Sequence, residues 1–532
     1  MRADVPARLS ALIGMAAGLV ALAGAQLLSL IVGATSAPLP AVADAAVDLM
    51  PDAWREAGIG WFGRNDKAAL LVIALAVVLA LCALAGVLAA RSLPAGSVVV
   101  VALACVAGIA ASTRPDASAG AAVPTLLGAI AGLVTLHGLT GMALAAHPGA
   151  PVRTLDPEPA SQPVAATDLE VPDDARPGPA RRGVLRAASL TAVAGGTVAV
   201  AGALLARLRH ASDDSRAAVR LPDAVDAPPA ASGEEFDVRG LAPRITPNDD
   251  FYRIDTAFLV PRLTTAGWRL RVHGMVAREL TLTWDDLLAR DLVDREITMA
   301  CVSNPVGGDL VGTARWRGAL LAPLLREAGP TAGADMVLST SDDGWTCSTP
   351  LADLLDGRDA MLAVGMNGEP LPLEHGFPVR MVVPGLYGFV SGTKWVTDLR
   401  VTRFDRDRAY WTDRGWSARG PIKTSSRIDV PADGVEVPAG AVTLAGVAWA
   451  PHRGVAGVEV QVDEGSWTAA SLGADGGPDV WRQWRASWNA TPGKHRLRVR
   501  ATDGQGRLQV EARQGAVPDG ATGWHEVYVT VT

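Results

Sequence analysis

The 532-residue sequence predicts a multi-domain protein: an N-terminal helical transmembrane domain, an α+β domain, and a C-terminal all-β domain of immunoglobulin-like sandwich type. Three observations predict it. Long uncharged apolar stretches crowd the N-terminal part, short strand-like runs mixed with helical patches fill the middle, and regular β alternation runs from Ile428 onward. A hydrophobic share of 49% and a mean hydropathy of +0.22 are high for a wholly soluble chain, so a membrane part is expected.

Residues 9–34 and 68–90 carry no charge, and each exceeds the roughly 20 residues that a helix needs to cross the hydrocarbon core. A shorter run at 98–111, extendable through Leu93, and an uncharged run at 117–146 complete four spans within residues 1–147. Basic residues then set the orientation. Arg2, Arg8, Arg91, Arg153, Arg176, Arg181, Arg182 and Arg186 fall on one side; Arg55, Arg64, Lys67 and Arg114 fall on the other. The excess marks the cytoplasmic side and puts the N-terminus inside.

Residues 148–183 are rich in proline, aspartate and glutamate without apolar periodicity, which reads as a disordered cytoplasmic linker. Paired Arg181 and Arg182 then precede a fifth transmembrane helix at 184–206. Its start is twin-arginine-like, the type of signal that exports domains already folded around a cofactor; an ordinary span with a basic inner flank is the alternative. Either reading carries the rest of the chain to the extracytoplasmic side. A cleaved leader is not expected at the N-terminus, because residues 9–34 are too long and further spans follow.

Within residues 237–424 the runs "WRLRVHG", "EITMACV", "ADMVLST" and "FPVRMVVPG" read as strands, and "TWDDLLARD" and "GALLAPLLREAG" as helices. Residues 425–532 change texture. "GAVTLAGVAWA", "GVEVQVDEG", "WRQWRASWNA" and "KHRLRVRATD" alternate between turn signals, as in a sandwich of two sheets.

A net charge of −7 and a pI near 5.7, with no lysine or arginine stripe among aromatics, exclude nucleic-acid binding. Of the four cysteines, Cys82 and Cys105 lie in apolar runs; Cys301 and Cys347 make neither a disulfide framework nor a CxxC metal pair. The stretch "ITMACVSNPVGG" places Cys301 at the end of an apolar strand-like run, just before Asn304, Pro305 and two glycines. Taken alone, such a cysteine packs as a small hydrophobe.

Its surroundings change that reading. From about residue 245 to 532 the chain resembles the sulfite oxidase family of molybdopterin enzymes, including its bacterial sulfoxide-reducing branch. Four segments in matching order carry the resemblance: "TPNDDFYR"; "ITMACVSN" with "TARWRGALLAPLL"; "AVGMNGEPLPLEHGFPVRMVVPGLYGFVSGTKW"; and "YWTDRGW" leading into "SSRIDVP". It covers both soluble domains and none of the spans, and it implies a sulfite-oxidase-type molybdopterin domain holding a molybdenum-molybdopterin cofactor. By this resemblance Cys301 is the protein ligand of molybdenum, a soft thiolate, while the pterin dithiolene and oxo groups complete the site. His375, Arg380, Gly392, Thr393 and Lys394 match cofactor-binding positions, and Asn248 and Tyr252 match them less tightly. Cationic forks and backbone amides suit a buried, multiply charged anion. Cys347 has no such support and reads as structural.

The implied reaction is oxygen-atom transfer on a small substrate. Arg253 falls where sulfite-oxidising relatives place an anion-binding arginine, although it can equally pair with a pterin or a carboxylate; Trp316 matches a pocket-side tryptophan. Two departures stand against sulfite oxidation. "NPVGG" replaces adjacent arginines, and Trp345 in "GWTCSTP" takes the place of an active-site tyrosine whose hydroxyl it cannot supply. Cys301, Arg253 and Trp345 are the candidate catalytic residues, with reduction of a neutral S=O or N=O group at least as well supported. No CxxCH and no cytochrome b5-like segment is present, and His137 and His147 are ten residues apart on one helix, about 15 Å, too far to clamp one haem between them. A quinone or a cytochrome is left as electron partner, with the spans anchored in membrane lipid. The C-terminal domain suggests a homodimer, as in relatives. A sulfite dehydrogenase or oxidase proper, and a cofactor-free extracellular binding protein on the same fold, are the competing readings; joint retention of Cys301, Arg380 and Lys394 argues against the last.

Overall fold

The computed structural model describes residues 5–32, 36–51, 54, 61, 66–113, 120–146, 210–228, 231–257 and 260–532. The linker expected at 148–183, the fifth span at 184–206 with its paired arginines, and His147 lie outside the described residues. The chain divides into two units, Met1–Leu208 and Arg209–Thr532.

In the first unit the apolar runs form α1 (Ala7–Val32), α3 (Asp66–Arg91), α4 (Leu93–Ser112) and α5 (Val123–Ala146), each long and apolar enough to cross a membrane. The third expected span gains its length from Leu93, with Pro94 in the first turn, where its missing N–H costs nothing. Helix α2 (Pro38–Leu49) was not legible in the sequence, because Asp44 and Asp48 interrupt its apolar pattern; at 12 residues it is too short to span. Small residues let α1 and α3 approach closely. A Cβ on Gly14 would lie 2.0 Å from the Cys82 carbonyl oxygen, and one on Gly86 2.0 Å from that of Ser10.

The second unit opens with β1 (Arg269–Gly274), β2 (Leu280–Thr283), α6 (Trp284–Leu288), β3 (Leu292–Ala300), β4 (Val311–Leu320), α7 (Leu321–Ala328) and β5 (Met336–Ser341). It continues with β6 (Thr346–Pro350), α8 (Leu351–Leu355), β7 (Met361–Met366), β8 (Glu369–Pro370), β9 (Arg380–Val382) and β10 (Val396–Thr402). One sheet runs β2-β1-β10-β5-β6; the other runs β3-β4-β7-β8, with β9 paired to β7. The start of α6 is set by a capping box in which Thr283 and Asp286 bond each other's backbone amides. Helix α7 buries Leu321, Leu324, Leu325 and Ala328 on one face and stops at left-handed Gly329. The two sheets share a core that includes Trp268, Leu287, Trp316 and Leu399.

The C-terminal region is β-rich. Its strands are β11 (Ser425–Val430), β12 (Glu436–Val437), β13 (Gly440–Trp449), β14 (Val455–Val462), β15 (Thr468–Ala469), β16 (Ser471–Leu472), β17 (Arg482–Ala490), β18 (Gly493–Asp503) and β19 (His525–Val531). They form sheets β11-β13-β17-β16 and β12-β19-β18-β14-β15, which contribute Leu444, Trp484, Leu497, Val499 and Val527 to one core. This region is tied to the β3–β4 hairpin. The Trp481 amide donates to Thr298 Oγ1 at 2.7 Å, the Trp481 indole N–H to the Arg244 carbonyl at 2.7 Å, and Arg427 to the Gly308 carbonyl at 2.9 Å.

Candidate active site

Strand β3 is buried along almost its whole length and delivers Cys301 at its end, 9% exposed. The loop that follows is closed at its neck. The Cys301 amide donates to the Leu310 carbonyl at 2.9 Å, and Asn304 Oδ1 accepts from the Leu310 amide at 2.9 Å. "NPVGG" is therefore a compact turn, with Gly307 at φ +81°, and it presents no basic side chain. The Cys301 Sγ lies 2.9 Å from Ser303 Oγ. Burial pushes the thiol above its usual range, and the Ser303 hydrogen bond pulls it back.

Three cations and a histidine gather around one carboxylate. Arg380, at the start of β9, is 4% exposed and donates to the carbonyls of His375 at 3.2 Å and Gly392 at 3.4 Å, with no carboxylate bonded to it among the described residues. Burial lowers it to about 10. Lys394 donates to Asp255 Oδ2 at 2.9 Å; burial lowers it to about 8, against the pull of Asp255. Arg253, its side chain 40% exposed, donates through Nε to the same Oδ2 at 3.0 Å.

His375 is buried and lies 3.2 Å from the Asn248 carbonyl through Nε2, while its Nδ1 has no partner among the described residues. Burial first, then Lys394 and Arg380, push it down to about 3. The ring is neutral near pH 7, with Nε2–H donating and Nδ1 left as a bare acceptor. Tyr252 stacks on Phe251 at 5.2 Å, and burial together with the nearby Cys301 raises its hydroxyl pKa.

The remaining expected residues sit differently. Asn248 Oδ1 accepts from Asn367 Nδ2 at 2.8 Å, and it is the Asn248 backbone carbonyl that meets His375. Gly392 places its carbonyl against Arg380, and a Cβ there would lie 3.2 Å from Met299 Cε. The Thr393 hydroxyl lies 2.6 Å from Ser339 of β5, inside the core. Trp345 stands on the turn between β5 and β6; its amide bonds Asp343, and its indole N–H is buried with no partner among the described residues. The structure thus brings Tyr252, Arg253, His375, Arg380, Lys394 and Cys301 into one electrostatic neighbourhood, and sets Thr393 and Trp345 on the β5–β6 side.

Sequence reasoning missed Asp255. The signal was there: in "YRID" it stands two residues from Arg253, the spacing that puts side chains on one side of an extended chain.

Among the described residues, three cations against one carboxylate, two of the cations buried, leave a net positive site that suits an anion, because buried charge without a partner costs several kcal/mol. An unmet acceptor on His375 and an unmet donor on Trp345 call for polar groups as well. A phosphate-bearing pterin with N–H groups has that chemistry, and a buried thiol beside it suits a soft metal.

Comparison with known proteins follows the same line. Residues 257–411 match the family described as oxidoreductase molybdopterin binding domain. Over 343 residues the chain is 30% identical to the mitochondrial sulfite oxidase of Homo sapiens, covering 54% of this chain and 62% of that protein. Over 153 residues it is 33% identical to the uncharacterized oxidoreductase YuiH of Bacillus subtilis (strain 168), covering 29% of this chain and 74% of that protein. The crystal structure of the sulfane dehydrogenase SoxCD from Paracoccus pantotrophus aligns with 22% identity and a TM-score of 0.48, over 59% of this chain and 94% of that one.

Proposed function

Because this chain belongs to the sulfite oxidase family of molybdopterin-dependent oxidoreductases, we propose that it is a membrane-anchored enzyme that transfers an oxygen atom to or from a small substrate outside the cytoplasm. The observation that carries this reading is a buried thiol, Cys301, in the same neighbourhood as a buried arginine, Arg380, that has no bonded carboxylate among the described residues. When bound, molybdenum-molybdopterin supplies the two-electron oxygen-atom chemistry.

The chain's own residues would do the rest. Cys301 provides the metal thiolate. Arg380 and Lys394 hold the anionic parts of the cofactor; His375 accepts an N–H through Nδ1; and the backbone around Asn248, Gly392 and Thr393, with Tyr252, shapes the cradle. Arg253, the exposed cation, faces the substrate, and Trp345 offers its indole N–H. In this reading residues 237–424 form the molybdopterin-binding catalytic domain. Residues 425–532 form an immunoglobulin-like sandwich that mediates a homodimer. The spans, with the twin-arginine-like segment, keep both on the extracytoplasmic face. A quinone or a cytochrome exchanges the electrons.

The exposed guanidinium of Arg253 favours one second reading, a sulfite dehydrogenase, which needs an anion site. The first experiment measures molybdenum and pterin in the purified wild type beside Cys301→Ser. Stoichiometric metal in the wild type, lost or spectrally altered in the variant, is the expected result. A wild type without molybdenum, from cells that make the cofactor, would leave an anchored binding protein.

A further inference from the structure

One oxygen of Asp255 serves two cations: Oδ2 accepts from Arg253 Nε at 3.0 Å and from Lys394 Nζ at 2.9 Å. The carboxylate is 7% exposed and Lys394 8%, while Arg253 is 40% exposed and is the cation that a molecule from solvent meets first. Building on the function proposed above, we propose that Asp255 is a positioning and specificity-determining residue. It fixes Arg253 and offsets part of its charge, so the substrate side of the site favours neutral S=O or N=O compounds over the sulfite dianion.

The argument is one of charge at short range. A dianion that docks on Arg253 comes within a guanidinium's breadth of Asp255, and its attraction to one charge is offset by repulsion from the other. The loop after Cys301 reads "SNPVGG" and adds no basic side chain of its own. Lys394, buried behind the carboxylate, already shares its charge with that oxygen. A neutral sulfoxide is treated differently. Its oxygen accepts from the guanidinium N–H groups that Asp255 leaves open, and no dianion has to be stripped of water. The corresponding reaction takes two electrons from a reduced quinone or cytochrome and two protons, breaks the S=O bond, and releases a thioether and water.

The test compares molybdenum content, calorimetric binding of inorganic sulfate, and kcat/KM for sulfite and for methionine sulfoxide, in the wild-type holoenzyme, Asp255→Asn and Asp255→Glu. Asp255→Asn is expected to bind sulfate and sulfite about tenfold more tightly and to lower the preference for the sulfoxide over sulfite in kcat/KM by a similar factor, and Asp255→Glu to resemble the wild type. Adding Arg253→Gln to Asp255→Asn should abolish the gain. Equal or weaker sulfate binding by a molybdenum-loaded Asp255→Asn overturns the inference alone, as does loss of molybdenum from that variant only. A wild type without molybdenum overturns the functional reading and the inference with it.

Discussion

The Arg380 guanidinium lies 5.0 Å from the centre of the Trp316 ring, and both side chains are buried. Strand β4 thus supplies a π face to a cation on β9 across the intervening β7, and the tryptophan is held in turn by its indole N–H, 3.3 Å from the Ile297 carbonyl of β3. A desolvated cation–π contact of this kind contributes roughly 2 kcal/mol. It offsets part of the cost of burying Arg380 but does not neutralise the charge.

Truncation of Trp316 removes both core volume and that contact. Trp316→Ala should destabilise the second unit by about 3–5 kcal/mol, and Trp316→Phe, which keeps a weaker π face, by clearly less. Denaturant unfolding of the purified protein reads the difference. Equal losses would mean that the ring acts by volume alone.

Arg380 has a cost of its own. In protein prepared without molybdenum, Arg380→Met should raise stability by about 1–4 kcal/mol, because a buried charge with no carboxylate bonded to it among the described residues is replaced by an apolar side chain. The same substitution should empty the holoprotein of cofactor. Thermal unfolding of the apoprotein and metal analysis of the holoprotein check the two halves separately.

His375 sets a pH dependence. Its pKa falls from the ordinary value near 6.5 to about 3 on folding, so between those limits the unfolded chain binds the extra proton and the folded one does not. Stability contributed by the neutral ring is therefore full above pH 6.5 and is lost as pH falls toward 3, at up to about 1.4 kcal/mol per pH unit. Unfolding of the metal-free His375→Gln variant should show a shallower decline over that window. An unchanged slope would assign the acid sensitivity to other groups.

Gly307 controls the contact between the cysteine loop and the C-terminal region. At φ +81° a Cβ would come within 2.1 Å of the His525 ring, whose Nδ1 accepts from the Ile428 amide at 3.0 Å. Gly307→Ala should cost more than about 2 kcal/mol and lower molybdenum content, whereas adding His525→Ala should recover the part due to the clash and leave the backbone strain of about 1 kcal/mol. The double-mutant comparison is made by thermal unfolding.

How much of this could be read from the residues depends on the range of the forces involved. The four apolar helices were legible because hydropathy acts along the chain, and the place of Cys301 at the end of a strand because that pattern is local; its candidacy as a ligand came only from the resemblance of the surrounding segments. The capping box at Thr283 and Asp286 is equally local, yet it was not read from the sequence. Helix α2 escaped because Asp44 and Asp48 break the pattern that makes a helix visible. The pairing of Asp255 with Lys394 joins residues 139 apart, and only the fold brings them together. Thr393 shows the converse limit. Its place next to Lys394 suggests a ligand contact, yet the chain bends at Lys394 and Trp395, and the Thr393 hydroxyl faces Ser339.

Arg427, which donates to the Gly308 carbonyl, and His525, whose ring stands where a Cβ on Gly307 would lie, both come from the C-terminal region, far later in the chain than Cys301. The thiol loop therefore cannot take its final shape while the polypeptide is still emerging from the ribosome. Synthesis order fixes a limit: the contacts of Arg427 and His525 with the loop form only after β11 and β19 have been made.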